Sequence, residues 1–286
     1  ADGGGLALGS GSSQNGGALV QVTNCATSGA SSSGGGVWSS GNTTVSGEGR
    51  LEITSCRTQG SSSPGGGLAA EAQLVVEAGA EVAVTECSTA GESSAGGGAY
   101  LEHQATVSGR LAVTECFTAG FAAGGACVNT VATAVITGRA RVERCVGEGP
   151  WASGAGWSAQ GGLQLGRGGV LEVLECSTLN ETAVGAGVYV YRDLKLDADA
   201  RLSTQGCVVA GGAFGSAVVV LGDATVADGG AVEVATSAPV GSAVGAVAFV
   251  LGKATGNVTV PLSSGLCPLY SQNMLCVAEC GDACST

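Results

Sequence analysis

The densest run of charged side chains is Arg192-Asp193-Leu194-Lys195-Leu196-Asp197-Ala198-Asp199-Ala200-Arg201. Three carboxylates with basic neighbours are what a calcium site, or acid–base chemistry on a uronate polymer, would require. Strict alternation sends the charges to one side and Leu194 and Leu196 to the other, which is the pattern of a strand with one solvated face. Asp193, Asp197 and Asp199 therefore stand as calcium candidates only, and no catalytic residue is assigned. The single histidine, His103, reads as a surface residue.

Cysteine supplies the second candidate chemistry. Seven of the twelve cysteines recur at Cys25, Cys56, Cys87, Cys116, Cys145, Cys176 and Cys207, with spacings of 31, 31, 29, 29, 31 and 31 residues. No C-x-x-C pair accompanies them and His103 falls in another segment, so no metal centre is assigned. In-register strands would hold successive cysteines about 4.8 Å apart. That separation suits a disulfide, but parallel side chains do not reach its torsion easily. A buried column of free thiols and bridges between neighbouring coils both remain open, and Cys127 has no obvious mate. Near the C-terminus, Cys267, Cys276, Cys280 and Cys284 are expected to form disulfides in a cap or to begin a further module. They partly resemble the small Cys-rich modules of extracellular receptors.

Aromatic side chains give the third. Trp38, Tyr100 and Tyr189 occupy equivalent places, thirteen residues after a column cysteine, and alternation turns them outward. Stacked outward rings bind sugars or anchor protein interfaces. Thr27, Thr58, Thr89, Thr118 and Thr178 form another column two residues after the cysteines. Their hydroxyls could bond the bending backbone, or, on a flat exposed face, bind ice.

All of these residues are positioned by one repeat, seen clearly in Leu111-Ala-Val-Thr-Glu-Cys-Phe-Thr-Ala-Gly120. An eighth copy, Val232 to Ser237, has Ser in place of Cys. A fixed period of about 30 residues marks stacked units that bury their apolar faces against each other. Each unit holds three short alternating segments, for example Ala99–Glu102, Ala105–Ser108 and Leu111–Val113, bounded by glycine. The expected fold is all-β: a single-stranded right-handed parallel β-helix of eight to nine coils with three strands each. It would span residues 1–262, with 263–286 as the Cys-rich cap. Glycine triplets at 34–36, 65–67 and 96–98, with degraded copies at 124–126, 154–156 and 185–187, mark one corner. Alternation from Leu111 and Val113 would bury Glu115 and expose Cys116. A bend between the valine and the cysteine is therefore inferred.

These triplets and the strands after them resemble the pectate-lyase-like β-helix superfamily. They are closer to the extracellular repeats of polymorphic outer-membrane proteins and similar algal and protist surface proteins. The resemblance covers nearly the whole chain and implies the fold. The Cys column departs from the Phe-x-x-Asn pattern of the outer-membrane family. Of the polygalacturonase-like motifs, paired Asp, Gly-His-Gly and Arg-Ile-Lys are all missing, and lysine occurs only at Lys195 and Lys253.

Charge and composition narrow the partners. A net charge of −12 opposes nucleic acid and anionic membranes, which need a basic surface. The nineteen uncharged residues from Val234 to Gly252 reach membrane-spanning length, but they stay in phase with the repeat and read as a final buried coil. Twelve cysteines and the sequons at Asn42, Asn180 and Asn257 point to secretion and N-linked glycans. The start, Ala-Asp-Gly, reads as a mature chain or a piece of a longer one. The expectation is a non-enzymatic extracellular structural or adhesive glycoprotein without a cofactor. It would associate end to end or with matrix proteins or glycans. Alternatives are a carbohydrate-binding or -cleaving β-helix and an ice-binding protein.

Overall fold

A computed structural model of the chain describes residues 3–271, except 10, 15, 121–123, 150–151, 180–183, 210–216, 236–247 and 256–268. It is an all-β parallel solenoid of about seven turns, fewer than the eight to nine coils expected. Four sheets run along it rather than three, with ten, nine, eight and seven strands. One turn shows the plan: Leu68–Ala70, Leu74–Val76, Glu81–Thr85 and Ser88–Thr89 belong to the first, second, third and fourth sheets in that order. The fourth strand is only two or three residues long, too short for alternation to reveal it. The first sheet continues past residue 262 into Leu269–Ser271, which pairs in parallel with Ala248–Val250.

Every strand of a turn pairs in register with its counterpart in the next, as in Val82↔Leu111 and Val84↔Val113. One face of each strand fills the interior. Ile53, Leu68, Leu74, Val84, Leu111, Val113 and Leu165 are fully buried in a single continuous core. Trp157 is also inside, and its indole Nε1 has no hydrogen-bond partner.

The inferred bend is present. Asn24, Ser55, Glu86, Glu115, Arg144 and Glu175 all have φ between 53° and 55–56°, in the left-handed region, and Gly206 has φ of 65°. Each directly precedes a column cysteine. One left-handed residue shifts the alternation by one place, so Glu86, Glu115 and Glu175 face solvent while Cys87, Cys116 and Cys176 face the core.

The glycine triplet divides its work among three positions. Gly34, Gly65 and Gly96 have positive φ. Gly66 lies where a Cβ would come within 2.3 Å of the Ser88 and Gly97 carbonyl oxygens, so backbone passes too close for any side chain. Gly67 faces the column cysteine: a Cβ there would be 3.0 Å from Cys87 Sγ. Pairing of Ala99 with Val128 aligns the fourth triplet as Gly125-Ala126-Cys127, one residue later than expected from glycine content. Cys127 therefore occupies the position that faces the cysteine column.

Candidate functional site

The candidate residues lie on outward surfaces and in two inward columns. On the third sheet and at the corner that follows it, outward charges are joined from coil to coil. Arg50 contacts Glu81, which also pairs with Arg110 at 3.5 Å. Arg139 binds Glu172 at 2.7 Å, Arg144 binds Glu115 at 2.7 Å, and Arg201 approaches Glu233 at 3.8 Å. These pairs are exposed, so each adds little stability, but together they favour one register between coils.

The three calcium candidates do not share a centre. Asp193 Oδ1 accepts a hydrogen bond from the Asp223 N–H at 2.9 Å, and Asp223 repeats the contact with Lys253 N at 2.8 Å. Asp197 lies between Lys195 Nζ at 3.0 Å and Gln164 Nε2 at 3.1 Å. Those contacts, Lys195 first, hold its carboxyl below the ordinary carboxylate range. Asp199 adopts φ of 61° at a turn and faces Arg167 at 3.8 Å. Among the described residues, no group of three or more His, Cys, Asp or Glu side chains converges on one point. His103 is exposed.

Trp38, Ala69, Tyr100, Asn129, Ser158 and Tyr189 form one outward column on the first sheet. The rings are half-buried, and Ala69, Asn129 and Ser158 between them are fully covered. Trp38 Nε1 donates to Glu71 Oε1 at 2.8 Å, which fixes the indole. Burial pushes the Tyr100 and Tyr189 hydroxyls above their ordinary range. Among the described residues, the aromatic side chain most open to solvent is Tyr191, at 58% exposure. It lies at the corner after the first sheet, where it lines a groove with Arg192, Gln160 and Thr133. Sequence reasoning passed over Tyr191 because it falls outside the strand and so outside the period-two count.

The threonine column turns inward. Thr58, Thr89, Thr118 and Thr178 are fully buried and Thr27 nearly so, which removes the exposed hydroxyl array that an ice-binding face would use. Thr58 Oγ1 donates to the Ser63 carbonyl at 2.8 Å, whereas those of Thr27, Thr89, Thr118 and Thr178 have no partner.

The cysteines do form a column. The backbone N–H after each cysteine bonds the carbonyl of the cysteine one coil earlier: Arg57 to Cys25 at 2.9 Å, Ser88 to Cys56 at 3.0 Å, Phe117 to Cys87 at 2.9 Å, Ser177 to Cys145 at 2.8 Å. Cys25, Cys56, Cys87, Cys116, Cys176 and Cys207 are free thiols, and Cys25 alone is partly exposed. Cys127, expected to lack a mate, is disulfide-bonded to Cys145 across a Cα separation of 5.6 Å. The pairing follows from the triplet alignment, since the third triplet position points at the column sulfur of its own turn. The bond splits the free thiols into a run of four and a run of two. Contact with the Cys87 thiol, then burial, pushes Cys56 far above the ordinary thiol range, and contact with Cys116 brings Cys87 up to about 12.

Asn42 is exposed at a corner, and its Oδ1 accepts from Gln73 N–H at 3.3 Å. The sequons at Asn180 and Asn257 and the cysteines Cys267, Cys276, Cys280 and Cys284 lie outside the described residues. No described helix is long and apolar enough to cross a membrane. No family model, curated protein or solved structure matches the chain. The fold and its columns therefore carry the functional reading.

Proposed function

We propose that this chain is a non-enzymatic structural or adhesive element of an extracellular surface: a stiff rod that displays its lateral faces. The observation that carries the reading is the in-register pairing of all four sheets through the described turns, reinforced by coil-to-coil ion pairs. Arg50, Arg110, Arg139, Arg144, Arg167 and Arg201 each pair with a carboxylate one coil away. The exposed sequon at Asn42 and the disulfide fit an oxidising, secretory setting. Unpaired strands at the ends of such a stack are natural sites for end-to-end association. Sedimentation velocity across a hundredfold concentration range, with negative-stain microscopy, tests the proposal. End-joined rods are expected, and a monomer at every concentration that binds no matrix component would overturn it.

A second reading is favoured by the groove at Tyr191. An exposed ring beside Arg192 and Gln160 offers a stacking surface and hydrogen-bond donors suited to an acidic or neutral sugar. A glycan array with the intact chain and Tyr191→Ala decides it. Selective binding lost in the variant supports a glycan-binding face, whereas binding that survives Tyr191→Ala rules out this groove.

A further inference from the structure

The run of four free thiols has a geometry that the scaffold reading does not use. Cys25 and Cys56 project inward from stacked corners, each Sγ 3.3 Å from the carbonyl two residues before it, so their sulfurs repeat with the coil rise of about 4.8 Å; Cys25 is the one member open to solvent. A metal–thiolate bond is about 2.3 Å long, so two sulfurs on opposite sides of one ion are about 4.6 Å apart. The coil rise and the span of a linear S–metal–S unit therefore coincide. A disulfide needs its sulfurs at less than half that distance, about 2.05 Å, and a tetrahedral site needs ligands off the axis. The column offers neither between Cys25 and Cys56.

We propose that Cys25 and Cys56 form a two-coordinate site for a soft d10 cation at the open end of the thiol column. Cys87 and Cys116, stacked below, repeat the same spacing as an inner site. Soft thiolate ligands select ions of this class over magnesium or calcium.

The surroundings favour a cation. Cys25 Sγ lies 3.3 Å from the Thr23 carbonyl oxygen, and Cys56 Sγ lies 3.3 Å from Thr54 O and 3.8 Å from Val22 O. These oxygens direct partial negative charge at the sulfurs. They would oppose a bare thiolate and support a bound positive ion. Entry is through the partly exposed side of Cys25; Gly5 packs against the sulfur, and a Cβ there would sit 2.6 Å from Cys25 Sγ.

Charge balance separates the candidate ions. Binding converts two thiols to thiolates and releases two protons to solvent. A divalent ion such as Hg(II) leaves a neutral bridge, while Ag(I) or Cu(I) leaves one negative charge in an apolar interior, where an unpaired charge is costly. Hg(II) should therefore bind more tightly than Ag(I), and Zn(II), which seeks four ligands, should not compete.

The test uses the full chain, titrated with Hg(II), Ag(I) and Zn(II). Maleimide labelling is read peptide by peptide, so that cysteines elsewhere do not enter the count. One equivalent of Hg(II) should protect Cys25 from labelling at least tenfold, and X-ray absorption should show two sulfur neighbours. Cys56→Ala should abolish the protection while far-UV circular dichroism is unchanged. If that variant unfolds, Cys87→Ala, which spares the outer pair, should keep the protection. Labelling of Cys25 unaffected by Hg(II), protection that persists in folded Cys56→Ala, or three or more sulfur neighbours would overturn the proposal.

Discussion

Gly66 tests the claim that the corner glycines are required by close backbone rather than by flexibility. An ideal Cβ at Gly66 would lie 2.3 Å from the carbonyl oxygens of both Ser88 and Gly97. Ordinary carbon contacts begin near 3.5 Å, so Gly66→Ala asks for about 1 Å of movement against two backbone segments at once. The hydrogen bonds at that corner include Gly65 N to Ala95 O at 3.0 Å, Gly66 N to Gly96 O at 3.1 Å and Leu68 N to Gly98 O at 2.9 Å. Stretched by about 1 Å, none remains a hydrogen bond, and at about 1 kcal/mol each the loss is roughly 3 kcal/mol before any disturbance of the core. Gly47→Ala is the control. Gly47 has φ of 62°, but its nearest neighbour, Gly16 N, would be 3.4 Å from a Cβ. That variant incurs only the left-handed penalty of about 1–2 kcal/mol, offset in part by lower entropy of the unfolded chain. Urea denaturation followed by circular dichroism should place Gly66→Ala at least about 1 kcal/mol below Gly47→Ala. Equal losses would show that the corner can open, and the close-approach argument would fail.

Thr89→Val should raise stability by about 1 kcal/mol, because it removes a buried hydroxyl with no partner; Thr58→Val should lower it, because it strands the Ser63 carbonyl. Thermal melts of the two variants give opposite signs if the threonine column faces inward. Cys127→Ala opens a loop spanning 18 residues and should cost about 3 kcal/mol, and reductant should destabilise the parent chain more than the variant. Stability should also fall in alkali. Cys87 has its folded pKa raised to about 12 against about 8.5 unfolded, so its contribution is complete below pH 8.5 and is lost as pH rises toward 12. The slope for this one thiol approaches 1.4 kcal/mol per pH unit. Urea midpoints from pH 8 to 10 should decline, less steeply in Cys87→Ala, and a flat profile would contradict the buried-thiol assignment.

Sequence alone determined the solenoid, because its period is written in residue types that only stacking explains. Valine and leucine alternate where strands face the core, glycine recurs where backbone crowds backbone, and cysteine recurs directly after a left-handed residue. It also forced the bend before each cysteine, since glutamate cannot occupy the core. Other features depended on contacts that no linear pattern records. The fourth sheet was invisible because two residues carry no alternation. Cys127 found its mate only when strand pairing, rather than glycine content, aligned the fourth triplet. Tyr191 became the exposed ring because it sits at a corner, while Trp38, Tyr100 and Tyr189 settled into their own sheet. Residue type specified which side of each strand meets the core, but distance between coils decided which side chains touch, and chemistry depends on touching.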